Sequence, residues 1–312
     1  MQKFGFSDQR AREFPAMVVM EITNVCNLSC IHCPYTAVSK KPDYSPRHMS
    51  WALYQKIVDE VALYPGVLFR LLCDGEPMMH PRFLDMLSYA KDKKVSPVNF
   101  ITNGTRLSQE IAGRVLDIGV EVVEISLDAL NRSTYEKIRV GSDFDLVMAN
   151  VHRFIEMRDR KGARTKIFVS IIDQKESEGE LRAFVDHWRR KVDRVLVRPF
   201  TTIGGVLDQA KLKISTDGDR WPCPLLWKRI FINVDGFAEF CVEDWMDETV
   251  VGDINQKGIA EVWRSEAYKH LRELHMARKF GEVSYCSRCL DWKAREWGND
   301  YFHAIEQVLP RG

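Results

Sequence analysis

Residues 26–33 read CNLSCIHC. Cys26, Cys30 and Cys33 stand at the spacing C-x3-C-x2-C, with His32 between the last two. A closed zinc site usually pairs C-x2-C with a second C-x2-C or with H-x3-H, and this spacing matches neither. Three thiolates on one compact loop suit an iron–sulfur cubane that leaves one iron without a protein ligand. Such an open iron can take a small molecule through nitrogen and oxygen atoms. The preceding segment, AMVVMEIT, is a β-branched apolar run, so the cysteines follow directly on a strand.

Beyond the loop, apolar runs alternate with helical patterns. SWALYQKIVDEVALY is amphipathic, with Ser50 placed as its N-cap. VLFRLLC, VNFITNG, VEVVEISLD, KIFVSIID and RVLVRPF read as further strands, and helical stretches between them end at Gly119 and Gly162. Six strands joined by five crossovers predict parallel strands with helices outside, which is too few for a closed eight-stranded barrel. The expected class is therefore α/β, a partial (β/α)6 TIM-like barrel. Chemistry in such folds sits at the C-terminal strand ends. The cysteine loop, CDGEP, TNG, SLD, SIID and VRPF all fall there.

From about residue 206 the pattern changes. TTIGGVLDQAKLKISTDGD reads as a linker. Cys223, Cys241, Cys286 and Cys289 follow, with six of the eight tryptophans, short strand signals in RIFINVDGFAEFC, and helical runs. The expected division is a barrel over residues 1–205 and a small α+β domain over 206–312.

The 312 residues are 45% hydrophobic and 29% charged, with a net charge of +1, which is ordinary globular composition. The strongest basic cluster, DHWRRKVDR, is interrupted by acids, so no nucleic-acid partner is expected. The segment MQKFGFSDQRAREFPAM lacks the apolar core of a signal peptide, and no apolar run is long enough to span a bilayer. A cytoplasmic protein without a membrane partner is expected, and clustered cysteines in a reducing compartment more often bind metal than pair as disulfides.

The C-x3-C-x2-C loop after the first strand of a partial barrel resembles the radical S-adenosylmethionine (SAM) superfamily, over roughly residues 15–200. The family pattern has an aromatic residue where His32 stands, which puts His32 among the cofactor-binding positions. The resemblance implies that SAM chelates the open iron through its amino and carboxylate groups. An electron from the cluster then splits SAM into methionine and a 5′-deoxyadenosyl radical, which abstracts a substrate hydrogen. Gly75, Glu76 and Pro77 of CDGEP match the family's GGEP motif, whose glycine backbone and acid receive the SAM amino group; Asp74 departs from it. Ser126 to Asp128 match a segment near the SAM ribose and carboxylate, and Asn103 and Ser170 stand at equivalent strand ends. These are either ribose partners or ordinary strand-end polar groups. Arg198 is either an anchor for the SAM carboxylate or for an acidic or hydroxylated substrate, or a surface arginine before a turn.

Cys223, Cys241, Cys286 and Cys289, with Gly236 before Cys241, resemble the first half of the SPASM pattern. No cysteine follows Cys289, so the likeness is to the shorter Twitch variant. That implies one fully ligated auxiliary 4Fe–4S cluster suited to electron transfer, beside the SAM-binding 4Fe–4S cluster; a zinc ribbon-like site is the alternative. Cys73 remains, either a small buried hydrophobe or a thiol that returns hydrogen to a radical, as in radical epimerases. Asp74 and Asp128 are the candidate bases if a proton is lost instead.

Twitch relatives include 2-deoxy-scyllo-inosamine dehydrogenase and aminoglycoside epimerases. The expectation is an oxidoreductase or epimerase acting on a C–H of a sugar, aminocyclitol or aminoglycoside, reduced by a flavodoxin or ferredoxin-type partner. Modification of a ribosomally made peptide is the alternative, and an iron–sulfur scaffold or redox sensor is a third reading.

Overall fold

A short helix α1 (Arg10–Glu13) leads into β1 (Met17–Met20), and the cysteine loop that follows runs into α2 (Tyr35–Val38). The chain then continues as α3 (Trp51–Val61), β2 (Leu68–Leu71), α4 (Phe83–Asp92), β3 (Val98–Thr102), α5 (Gln109–Ile118) and β4 (Val122–Ser126). Next come α6 (Arg132–Ile138), α7 (Phe144–Lys161), β5 (Lys166–Asp173), α8 (Leu181–Trp188) and β6 (Arg194–Pro199). The remainder comprises α9 (Leu225–Lys228), β7 (Arg229–Ile232), β8 (Phe237–Glu239), β9 (Val250–Asp253), α10 (Ile259–Trp263), α11 (Glu266–Met276), α12 (Ser284–Ser287) and α13 (Tyr301–Glu306). This computed structural model describes residues 4–6, 9–72, 74–215, 217–298 and 301–309. Cys73, the candidate hydrogen donor, lies outside the described residues.

Neighbouring strands follow the order β6-β5-β4-β3-β2-β1-β7-β8-β9. All pairings from β6 to β7 are parallel, as the alternating strand and helix signals require, and β7-β8-β9 is antiparallel. Successive side chains of a strand point to opposite faces. Val18 and Met20 of β1 accordingly join the large outer core with Phe69, Phe100, Ile57 and Trp188. Met17 and Val19 turn inward to Leu68, Val122, Phe168 and Phe231. Ile305 of α13 packs into this inner cluster, with Tyr301 beside it. The C-terminal helix thus contributes to the barrel interior.

Local signals set the helix ends. Ser50 Oγ accepts the Leu53 N–H at 3.2 Å, a cap of the kind worth about 1 kcal/mol. Gly162 closes α7 in the left-handed region, φ 61°, where a side chain would be strained. The run 259–279, which reads as one helical pattern, divides into α10 and α11 at Ser265, whose Oγ accepts the Tyr268 N–H at 3.4 Å. Residues 206–215 are mostly irregular, with one short 3-10 turn at Gln209–Lys211.

The pairing of β7 with β1 was not anticipated by the short strand signals around residue 230. Met17 faces Arg229 and Met20 faces Ile232, and the Glu21 N–H donates to the Ile232 carbonyl at 2.9 Å. The β-sheet therefore runs unbroken across the expected division near residue 205. Among the described residues no helix is long and apolar enough to cross a membrane.

Candidate active site

One cavity of about 960 Å³ lies at the C-terminal strand ends, and Cys26, Cys30, His32 and Cys33 line it. Asp74, Gly75 and Glu76 reach it from the turn after β2, and Asn103 from the end of β3. Ser126, Asp128, Ser170 and Arg198 complete its far side. The motifs picked out along the barrel half of the sequence thus converge on one space.

The cysteine loop is held by its backbone. Ser29 N–H donates to Val140 O at 2.9 Å and Ile31 N–H to Ile138 O at 3.0 Å, tying the loop to the segment after α6. Two donors aim at sulfur: the Leu28 N–H toward Cys26 Sγ at 3.5 Å and Arg139 Nη1 toward Cys30 Sγ at 3.8 Å. The seven described cysteines are free thiols. Burial pushes the Cys26 thiol up to about 11, and burial with the neighbouring Cys30 pushes Cys33 higher still. Metal cations set among such thiols remove that cost by taking the thiolates as ligands. Among the described residues no three His, Cys, Asp or Glu side chains converge as ligands of a single ion would; a cubane takes each thiolate on a different iron. Three thiols, two of them with hydrogen-bond donors aimed at sulfur, therefore fit a cluster with one open iron.

The GEP turn locks onto this loop. A Cβ on Gly75 would lie 2.2 Å from the Val25 carbonyl oxygen, so only glycine allows the turn this close to the residue preceding Cys26. The Glu76 N–H donates to that same oxygen at 2.8 Å. The buried Glu76 carboxylate accepts from Thr102 Oγ1 at 2.8 Å, the Asn103 N–H at 2.7 Å and the Met78 N–H at 3.3 Å. Burial raises its pKa, against these three donors. Asn103 reaches the cysteine loop through Asn27, Nδ2 to Oδ1 at 3.0 Å. Asp74 is half-buried, and desolvation raises its pKa well above the usual carboxylate range, with Glu21 and Asp244 adding to the shift.

Asp128 stands at φ 64°, a left-handed conformation that Asp tolerates better than most residues. Its own N–H and that of Leu127 both donate to Ser170 O, at 3.2 and 3.0 Å. Its carboxylate accepts from Arg139 Nε at 2.7 Å and from the Ile172 N–H at 2.8 Å, and lies 3.7 Å from His32 Nε2. The other His32 nitrogen meets Gln174 Nε2 at 3.3 Å. Burial lowers the His32 pKa to about 4, so the ring is neutral at pH 7. Asp128 thus holds Arg139 against Cys30. Neither Arg139 nor Gln174 was picked out from sequence; a basic residue eleven positions after SLD, in KIRVG, was the available signal.

Deeper in the barrel, Glu124 of β4 accepts from Arg198 Nη2 at 2.7 and 3.0 Å and from Arg70 Nη2 at 3.2 Å. Burial alone would raise the Glu124 pKa, yet Arg198 and Arg70 hold it below the ordinary value. The Arg70 guanidinium lies 3.5 Å from the centre of the Tyr301 ring, and Asn99 Nδ2 donates to the Tyr301 hydroxyl at 2.8 Å. Arg70 and Glu124 were missed because LFRLL and VVEIS read as apolar strands. A lone charge at an inward strand position is itself the signal.

Cys223, Cys241, Cys286 and Cys289 come together although 66 positions separate the first from the last. Burial raises the Cys241 thiol well above its ordinary value, with Cys223, Cys286 and Cys289 adding to the shift in turn. Four neighbouring thiols, each of which disfavours ionisation of Cys241 or is Cys241 itself, fit a fully ligated cluster. Pro224 and Val242, next to two of these cysteines, line the same cavity as the first cysteine loop. Arg295, also in that lining, pairs with Glu243.

Comparisons with known proteins agree with this geometry. The radical SAM superfamily pattern matches residues 20–185, and that of an iron–sulfur cluster-binding domain, SPASM, matches residues 208–290. Mycofactocin maturase MftC of Mycolicibacterium smegmatis is 30% identical over 140 residues, 45% of this chain and 34% of that protein. The alignment thus spans about a third of the length of that curated relative. Streptococcus suis SuiB bound to precursor peptide SuiA has a similar structure, with TM-score 0.70 and 15% identity, covering 94% of this chain and 73% of SuiB. BtrN in complex with AdoMet and 2-DOIA gives TM-score 0.59 and 16% identity, covering 93% and 94%. At these identities the structures speak to the fold. With one pattern matched across the barrel and a second across the later cysteines, the chain belongs to the radical SAM superfamily and carries a SPASM-type domain, and its cofactors are SAM, a 4Fe–4S cluster and auxiliary iron–sulfur.

Proposed function

We propose that this enzyme acts on a C–H bond of a small polar substrate held in the 960 Å³ cavity, giving oxidation or epimerisation. The observation that carries this reading is the convergence of the first cysteine set and the strand-end motifs on that cavity, with Pro224 and Val242, neighbours of two later cysteines, in its lining. Cys26, Cys30 and Cys33 are assigned to the SAM-binding cluster, and Cys223, Cys241, Cys286 and Cys289 to one auxiliary cluster. When bound and reduced, the first cluster supplies the electron that cleaves SAM and yields the hydrogen-abstracting 5′-deoxyadenosyl radical. The functional division is placed at residues 1–205 and 206–312.

The chain's own groups have separable tasks. Gly75 and Glu76 fix the turn against Val25 and so set the distance from the GEP backbone to the cysteine loop. Asn103, Ser126 and Ser170 offer small polar groups to the SAM ribose. Arg139 balances thiolate charge at Cys30. Asp74 is the better-placed base, because Asp128 is committed to Arg139. The auxiliary site beside the cavity suits it to accept an electron from the substrate. A flavodoxin or ferredoxin-type protein is the expected reductant.

Peptide modification is the second reading, favoured by the 30% identity to a mycofactocin maturase. The test is metal and product analysis of anaerobically reconstituted protein given SAM and dithionite. About eight irons per chain and release of 5′-deoxyadenosine are expected. Cys30→Ala should lose about four irons and all 5′-deoxyadenosine release. Release that persists in that variant would sink the assignment.

A further inference from the structure

The inner floor of the cavity carries one positive charge more than it answers. Glu124 is fully buried, and its single carboxylate serves two guanidinium groups, Arg70 from β2 and Arg198 from β6. Arg70 is only 4% exposed, and its Nη1 has no hydrogen-bond partner among the described residues; Arg198 Nε has none either. The Tyr301 face, 3.5 Å from Arg70 and 5.4 Å from Arg198, softens this charge without neutralising it.

The other acids of the cavity do not supply the missing anion. Asp128 lies near enough to act on Arg198 but is answered by Arg139, Glu243 is answered by Arg295, and Glu296 forms no ion pair with Arg70 or Arg198 among the described residues. Glu76 is bound by three donors at the cysteine-loop end, and Asp74 lies on that side too. Lys293, also in the lining, adds a further cation. A buried guanidinium short of an anion is costly, and its planar fork matches a carboxylate.

We infer that the substrate of this cavity carries a carboxylate, received by the unpartnered edges of Arg70 and Arg198 on the inner floor. This rests on the cavity being the SAM-dependent active site, and it narrows the substrate class: a polycationic aminoglycoside fits this floor poorly. SAM also bears a carboxylate, but the floor lies deeper than its site. Arg70 lies within β2, whereas Gly75 and Glu76 sit in the turn after it, against Val25 of the cysteine loop.

The test is calorimetric titration of the SAM-loaded holoenzyme with glucuronate, glucose and glucosamine, which share a ring and differ in charge. Glucuronate should bind at least about tenfold more tightly than the other two. Arg70→Gln and Arg198→Gln should each erase that preference. Equal binding of the three sugars, or binding of none, overturns the inference on the unaltered protein, whatever the variants do. A preference for glucuronate that vanishes when SAM is added also overturns it, since the floor would then hold SAM's own carboxylate. Release of 5′-deoxyadenosine from the same preparation separates the two levels. Its absence removes the enzyme reading, whereas its presence without charge preference removes only this inference.

Discussion

Glu124 in the middle of β4 and Asp128 two residues beyond its end are both buried acids, and the protein answers them differently. Asp128 has one guanidinium, from Arg139, plus the Ile172 N–H. Glu124 has two, from Arg70 and Arg198. Asp128 and Arg139 thus balance each other at the cysteine-loop end, while the floor is left one anion short.

Removing one arginine from each acid breaks or sharpens this contrast. Arg139→Gln leaves Asp128 buried without its cation and should cost about 3–5 kcal/mol in denaturant unfolding. Arg198→Gln should cost clearly less, because Arg70 remains on Glu124. The double variant Asp128→Asn with Arg139→Gln should recover much of the loss. Equal costs for the two single variants would show that the floor is balanced like the loop end.

A smaller, local effect is expected at the turn between these regions. A Cβ at Gly75 meets backbone, the Val25 carbonyl at 2.2 Å, so it cannot be accommodated by a side-chain rotation. Gly75→Ala should displace the cysteine loop and lower 5′-deoxyadenosine release by about 100-fold while the circular dichroism spectrum is kept. Unchanged release would mean that the turn does not set the loop's position.

Much of the loop end was legible in the sequence because its residues sit in short motifs at strand ends. Cys26, Gly75, Glu76, Asn103 and Ser126 needed only the strand pattern to be placed together. Arg139 was missed because its partner Asp128 lies eleven positions earlier and the basic residue in KIRVG is linked to it by no local period. The floor was hidden for another reason. Arg70 and Glu124 interrupt apolar strands at single positions, and their pairing depends on β2 and β4 both facing inward with β3 between them. The approach of α13 to the barrel interior and of β7 to β1 are likewise contacts between distant segments. Local propensity and hydrophobic period carry no record of them.

The β1–β7 junction provides the smallest expected effect, and it reads as a pH dependence. Glu21 follows β1 and is buried; its Oε2 accepts the Val234 N–H at 2.8 Å, and Oε1 has no partner among the described residues. Burial raises its pKa from the ordinary 4.5 to about 7, against the Val234 bond and Arg47. In the unfolded chain the carboxyl ionises near 4.5, so between there and about 7 the native chain holds more protons. The associated stability is present in full below 4.5 and is lost as pH rises through 7. Glu21→Gln stays neutral throughout. Its stability relative to the unaltered protein should therefore rise between about pH 5 and pH 8, by roughly 1–3 kcal/mol in urea unfolding. A difference that stays flat over that range would mean that Glu21 is solvated, and that the junction between the barrel and the later strands opens to water in solution.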